Sequence, residues 1–414
     1  MKFVKLNDCC EIKPPKSEAK KVLSPTDLVS FVPMKNLGIN TVDLELDENK
    51  QLSKVSGSYT YFAENDVLLA KITPCFENGK LGIARGLTNG IGFGSSEFIV
   101  FRPSKELLAE YLYYFLLRPK FREQGKAVMT GAVGHKRVPK DYIESTLIPL
   151  PSIEGQKRIV SILDQVFADI EKAHATAETN LRNARELFDS YLQQVFSQRG
   201  EGWVDTSLGN ICNFQNGYAF KSKDTVETSN TQLLRMGNLY QNILDLNRKS
   251  VYYPDNFSDE YEQFKLKEGD MIISLTGTVG KEDYGYTVEI PKTDKTLLLN
   301  QRIAKITSID MKKLDKRFLL RILRSRVFLD KLYSTANGTR QANLSTTTMK
   351  DILIGIPSLD KQLELCRDFD KLEVEALKLA RIYSKKLVDL DELKSSILQK
   401  AFTGELTKSK GIVA

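Results

Sequence analysis

From Glu154 to Gln198 the chain contains no proline, and its single glycine, Gly155, falls in the first turn of the helix this stretch predicts. Apolar or small residues recur at Ile159, Leu163, Val166, Ile170, Ala173, Ala177, Leu181, Ala184, Phe188, Tyr191 and Val195. Their spacings alternate between three and four with one additional four, which is a heptad seam carrying a single stutter. The positions 206 residues further on are Leu365, Phe369, Leu372, Ala376, Leu379, Tyr383, Leu387, Leu390, Lys394, Ile397 and Ala401. All but Lys394 are apolar or small, and the stutter is kept. Each helix would run for about 45 residues, roughly 65 Å at 1.5 Å per residue. A seam of that length must be buried, and the matching seams predict an antiparallel coiled coil of the chain with itself.

The rest of the pattern is also written twice. Val32-Pro33-Met34-Lys35-Asn36-Leu37 matches Leu234-Arg235-Met236-Gly237-Asn238-Leu239. Asp66–Thr73 matches Asp270–Gly277, and Ile148-Pro149-Leu150-Pro151-Ser152 matches Ile354-Gly355-Ile356-Pro357-Ser358. The offset drifts upward along the chain, as a duplication with small loop insertions requires. Each half opens with about 150 residues of short alternating runs and turn residues, including Glu97–Phe101 and Gln301–Ile306. Each holds one helical stretch, Leu107–Leu117 and its partner near Arg317–Leu332.

The expected fold is α+β: two similar mixed α/β domains joined by two long helices that form an antiparallel coiled coil, with a pseudo-two-fold internal repeat. The expected boundaries are a first domain over 1–152, a helix over 153–199, a second domain over 200–358, a helix over 359–407 and a flexible tail over 408–414. Two similar domains on a stiff spacer suit a target with two separated sites, of which DNA half-sites are the familiar case.

Composition narrows the function. Of 414 residues, 41% are hydrophobic and 27% charged, which excludes a disordered or fibrous chain. The net charge of +7 permits a nucleic-acid partner without requiring one. Five scattered cysteines with no CxxC pair support neither a zinc site nor a disulfide framework. The sequence shows no signal-peptide core and no membrane-length apolar run, so a cytoplasmic protein is expected. Two histidines, His135 and His174, leave little room for a histidine-based metal site or triad.

Motifs for catalysis are missing too. The sole Pro-Pro, Lys13-Pro14-Pro15-Lys16, has the wrong flanks for the loop that holds a flipped adenine in an N6-methyltransferase. Gly90-Ile91-Gly92-Phe93-Gly94 does not open a helix and reads as a β-turn. Gly277-Thr278-Val279-Gly280-Lys281-Glu282 has the wrong spacing for a P-loop and reads as a hairpin. Glu171, Glu178 and Glu186 read as a solvated helix face.

In its architecture the whole chain resembles the specificity subunit of type I restriction-modification systems. Ile148–Val160 resembles that family's start of the first helix, Leu393–Leu406 its C-terminal signature, and Gly217-Tyr218-Ala219-Phe220-Lys221-Ser222 a frequent motif of its recognition domains. The first copy of the signature, Leu187–Phe196, keeps Ser190, Leu192, Gln193 and Phe196 but lacks the Gly-Glu-Leu ending. The resemblance implies a non-catalytic, sequence-specific DNA-binding subunit that reads each half of a bipartite double-stranded DNA site with one domain. It implies two adenine methyltransferase (modification) subunits docked by the helices, and restriction subunits that complete an ATP-dependent nuclease. No cofactor is expected on this chain; S-adenosylmethionine, ATP and magnesium belong to the partners.

Base reading favours Arg for guanine and Asn or Gln for adenine, and phosphate contacts favour Lys, Arg, Ser and Thr. The first candidate is the Gly-rich basic loop Thr130–Arg137, with Lys136 and Arg137, and its counterpart Asn337–Asn343, with Arg340, Gln341 and Asn343. Each loop also fits a solvated turn. Lys71 and Thr73, with Thr276 and Thr278, just past the repeated strand, are second candidates and Arg302 a third, although that strand reads more readily as core. Lys35-Asn36 and Gly237-Asn238 read as turn residues. A duplicated coiled-coil scaffold that binds only proteins is the competing function; an enzyme with an unrecognised site is weaker.

Overall fold

The computed structural model describes residues 2–336 and 341–408. The chain divides into two compact units: Met1–Glu178 with Ser384–Ala414, and Thr179–Tyr383. Both long helices pass through both units, the first over Ile153–Gln198 and the second over Leu359–Thr403. The second helix stops short of 407 because Gly404 takes a left-handed φ of 82°, a conformation that ends helices at little cost when the residue is glycine. Glu405–Lys408 then forms a separate short helix.

The repeat extends to strand topology. Unit 1 has one four-stranded sheet in the order Cys10–Ile12, Phe98–Pro103, Val67–Ala70, Leu81–Ile83. Its second sheet runs Asn49–Gln51, Leu28–Val32, Ile91–Gly94, Thr60–Ala63. Unit 2 repeats both orders, with Asn213–Asn216, Ile303–Thr307, Met271–Ser274, Thr287–Glu289 and with Tyr252–Tyr253, Thr231–Leu234, Thr296–Leu299, Lys265–Leu266. In each second sheet the two central strands are parallel and the others antiparallel. Asn36 and Asn238, in the matched turns, are both buried and their side-chain amides donate to backbone carbonyls, so they hold the turn in each half.

Two features differ from the sequence expectation. Ile91–Gly94 is a central strand, not a turn; only Asn89 and Gly90, just before it, have positive φ. The glycines are there because neighbours leave no room: a Cβ on Gly92 would lie 2.1 Å from the Phe62 ring, and one on Gly94 2.5 Å from the Val32 carbonyl. The helical stretch in each half is a pair of helices, Ala109–Leu117 with Pro119–Ala127 and Lys316–Arg324 with Arg326–Ser334. Pro119 has no N–H to continue the first helix, and the Ser325 hydroxyl accepts from the Phe328 N–H to cap the last. Gly277–Glu282 does lie in the connection of a hairpin, since Met271–Ser274 pairs antiparallel with Thr287–Glu289, and within that connection Thr276–Thr278 also pairs with Gln341–Asn343.

Within each unit the long helices run antiparallel. In unit 1 Ile159, Leu163 and Ile170 are buried, Val166 is half-buried, and Leu387 and Leu390 are partly covered. Lys394, the polar seam position, stretches so that its ammonium lies 4.8 Å from the Phe167 ring centre and 3.7 Å from the Glu171 carboxylate. Its stem covers apolar surface while its charge stays satisfied. In unit 2 Phe369 meets Phe188, Tyr191 and Phe196, and Leu365 is buried. Leu181 and Leu372 are half-buried, and Leu379 remains 38% exposed at the margin of the seam.

A repeated glutamine ties helix to domain. Gln156 is fully buried: its Oε1 accepts from the Leu108 N–H at 2.8 Å, and its Nε2 donates to the Glu106 and Pro151 carbonyls. Gln362 does the same with the Asp315 N–H and the Lys313 and Pro357 carbonyls. Gln156→Leu keeps the volume but strips these partners, at about 1–3 kcal/mol for each buried group left unpaired. A lower denaturation midpoint for unit 1 is the expected result; an unchanged midpoint would mean that water replaces the amide.

Candidate nucleic-acid interface

The two sets of candidate residues, apart in sequence, meet in each unit. In unit 1 the segment after strand Val67–Ala70 lies against the late basic loop. Ile72 bridges Arg137, and the Thr73 N–H donates to the Lys136 carbonyl at 2.9 Å. The loop closes on itself through paired bonds between Thr130 and Arg137. From Gly131 to Arg137 it is exposed, with Val133 at its tip 94% exposed. In unit 2 the corresponding segments form a ladder: Thr276 faces Asn343 and Thr278 faces Gln341. Arg340 lies outside the described residues.

The threonine hydroxyls all have partners within the protein. Thr73 Oγ1 donates to the Lys136 carbonyl at 3.2 Å. Thr276 is buried with its hydroxyl on the Met236 sulfur, and the Thr278 hydroxyl donates to Asp283 at 2.9 Å. The Thr73 hydroxyl ties its segment to the late loop, whereas in unit 2 the backbone ladder joins the two segments and the threonine hydroxyls bond elsewhere. Asn343 is exposed, Gln341 half-buried, and Arg302 exposed on the turn that precedes Ile303–Thr307.

Glu97 is the residue the sequence reading missed. Its carbonyl accepts from the Lys71 N–H as the Arg302 carbonyl accepts from the Leu275 N–H, so Glu97 and Arg302 occupy the same place in the two units. Comparing the halves position by position at the repeat offset was the signal that could have found it. Glu97 grips Arg137 in a two-bond fork, Nε to Oε2 at 2.9 Å and Nη2 to Oε1 at 2.7 Å. That hydrogen bonding holds the Glu97 carboxyl below the usual carboxylate range and raises the already high pKa of Arg137. Lys71 is half-buried and donates to the Ser96 carbonyl at 2.9 Å; burial lowers its pKa, against the pull of Glu97. The frame is therefore common to both units, while the presented side chains differ: Lys136, Arg137 and Glu97 in one, Arg302, Gln341 and Asn343 in the other.

Among the described residues, no group of three or more His, Cys, Asp or Glu could hold a metal ion. No helix among them is long and apolar enough to cross a membrane.

Comparison with known proteins gives a consistent outcome. The family described as the type I restriction modification DNA specificity domain matches residues 1–179 and 200–381. The chain is 26% identical over 436 residues to the type I restriction enzyme EcoAI specificity subunit of Escherichia coli, covering 83% of this chain and 73% of that one. It is 24% identical to the MjaVIII specificity subunit of Methanocaldococcus jannaschii, covering 85% and 82%. The fold is similar to that of the HsdS subunit from Thermoanaerobacter tengcongensis, with a TM-score of 0.68, 18% identity, and 98% and 97% of the two chains covered. It also resembles a chain from a study of complex assembly in a type I restriction-modification system, with a TM-score of 0.75, 17% identity and 98% of each chain covered. Specificity subunits recognise DNA sequence as non-catalytic members of their complexes, and it is to this family of type I restriction-modification specificity subunits that the chain belongs.

Proposed function

We propose that residues 1–152 and 200–358 each read one half of an asymmetric, bipartite DNA site, and that the two long helices set the spacing between the halves. One observation carries this reading: the same pair of segments is brought together in both units, but with different side chains facing outward. A shared frame suits the shared backbone geometry of DNA, and differing side chains suit two different half-site sequences. Arg137 and Arg302 match guanine, Gln341 and Asn343 match adenine, and Lys71 and Lys136 match phosphate.

Two adenine methyltransferase subunits dock along the outer helix faces in this reading, and restriction subunits complete the cytoplasmic complex. Apolar side chains left open on the second helix within unit 2, Val374 and Leu377 at 66% exposure each, support docking there. S-adenosylmethionine, ATP and magnesium are assigned to those partners. The test is a genome-wide N6-methyladenine map of the host with and without the gene. Loss of a single bipartite motif on deletion is expected. An unchanged map in a host whose methyltransferase is active would replace this reading with a protein-binding scaffold.

A further inference from the structure

A cleft of about 330 Å³ opens in unit 1 beside the candidate interface. Lys13, Lys16, Lys71 and Lys140 line it, and no carboxylate does. Lys140 is paired with Glu144 at 2.9 Å. Among the described residues, Lys13, Lys16 and Lys71 have no carboxylate within ion-pair distance. Glu97, the acid whose charge reaches Lys71, is already held by the Arg137 fork. The bonds that position the lysines are to backbone: Lys16 Nζ donates to the Gly57 carbonyl at 2.7 Å and Lys71 Nζ to the Ser96 carbonyl at 2.9 Å. Each ammonium has three protons, so two remain on Lys16 and two on Lys71 for a ligand.

These charges also press on one another. Burial depresses the pKa of both Lys16 and Lys71, and the charge of Lys13 pushes each further down. Lys13 itself sits at a φ of 61°, a left-handed conformation a lysine rarely adopts, fixed by its N–H bond to the Val100 carbonyl at 2.8 Å. Ammoniums that share a cleft with no carboxylate in its lining repel one another, and an anion bound among them removes that repulsion. The cleft lining also includes the apolar Phe98, Ile99 and Val138 and the hydroxyl-bearing Ser58, Tyr59 and Thr60. That combination suits an anion attached to a sugar better than a free hydrated ion. The cleft also continues the candidate interface: Lys71 belongs to both, and Val138 directly follows Arg137.

We propose that this cleft binds a phosphodiester of the DNA backbone next to the first half-site, with Lys13, Lys16 and Lys71 as donors. The inference rests on the reading that unit 1 binds DNA, and it assigns to the cleft affinity without sequence information.

The test uses the full chain in complex with its methyltransferase subunits, bound to a duplex carrying the motif found by methylation mapping. Affinity is measured from 50 to 200 mM salt for wild type, for the double variant Lys13→Gln with Lys16→Gln, and for Lys54→Gln, an exposed lysine of the same unit outside the cleft. For each phosphate that is no longer neutralised, the salt-driven fall in affinity over this range should shrink roughly three- to four-fold. The double variant is expected to show that flatter dependence and weaker binding to every sequence, with the methylated motif unchanged and Lys54→Gln like wild type. Wild-type affinity and slope in the double variant would overturn the cleft assignment while leaving DNA reading intact. Equal affinity of the wild-type complex for the motif duplex and for a duplex with the motif scrambled would instead overturn DNA reading itself. If millimolar inorganic phosphate raised the melting temperature of wild type but not of the double variant, with their DNA slopes equal, the cleft would be a free-phosphate site and the backbone assignment would fall.

Discussion

Deleting residues 384–414 is expected to unfold unit 1, although the deletion lies more than 200 residues beyond the domain it destroys. The end of the second long helix is a structural part of that unit's core. Leu398, Ala401 and Phe402 are 3%, 1% and 3% exposed and belong to the same buried cluster as Leu6, Tyr111, Phe115, Ile159 and Leu163. The Phe402 ring lies 4.9 Å from Tyr111 and 5.5 Å from Phe115, and the Arg118 guanidinium sits 5.1 Å from its centre. Removing Phe402 alone, as Phe402→Ala, should cost about 3–5 kcal/mol, a large share of the roughly 5–15 kcal/mol that holds a domain folded. Removing the whole segment also uncovers Ile159, Leu163 and Ile170 along the first helix. Hydrogen exchange on the truncated chain checks this. Protection should collapse over Ala109–Leu117 and Ile153–Ile170 and persist over Met271–Ser274 and Lys316–Arg324 of unit 2. Native protection in the first two segments would show that the helix end merely lies on the unit.

The same architecture explains what could be seen in the sequence. The heptad seam was legible because buried positions in a long helix recur with a fixed period, and two seams with one stutter constrain each other. The repeat was legible at strand ends such as Ile148-Pro149 and Ile356-Pro357, where turn chemistry is local. What escaped was set by contacts distant in the chain. The strand character of Ile91–Gly94 depends on a ring from Phe62 and a carbonyl from Val32, which the glycines accommodate but do not announce. The partner of Thr276–Thr278 is more than 60 residues away, so the hairpin connection around it was legible but this second pairing was not. Of the DNA candidates, the residue types were legible but their directions were not. Thr276 turned inward to Met236, and Arg137 acquired Glu97 as a partner only once the sheet was folded. Gln156 and Gln362 stand 206 residues apart, the offset of the two seams, yet a buried glutamine looks like any polar residue at the start of a helix until its three bonds are traced.

Replacing residues 200–358 with the matching segment of a relative that reads another sequence should change one half of the methylated motif and leave the other half and the spacer as they were. The fold makes such an exchange physically reasonable. Val204–Ser207 pairs antiparallel with Leu353–Ile356, so the two ends of the segment lie side by side and the junctions close on a short ladder. Three requirements cross the junctions. Gln362 must find an N–H and a carbonyl where Asp315 and Lys313 now stand, and the helix side chain Phe196 must find an aromatic where Phe318 sits. Arg321, which pairs with Asp370 at 3.0 Å and also with Glu373, must be kept or removed together with those acids, since a buried charge left unpaired is strongly destabilising. A chimera that keeps all three should fold, and native-like hydrogen-exchange protection in both units separates a packing failure from a failure of recognition. With the fold intact, methylation mapping then decides the matter. A change confined to one half-site supports independent reading by each unit. A change in both halves, or in the spacer, would mean that recognition is shared between the segments and that the duplication of the chain does not divide its target.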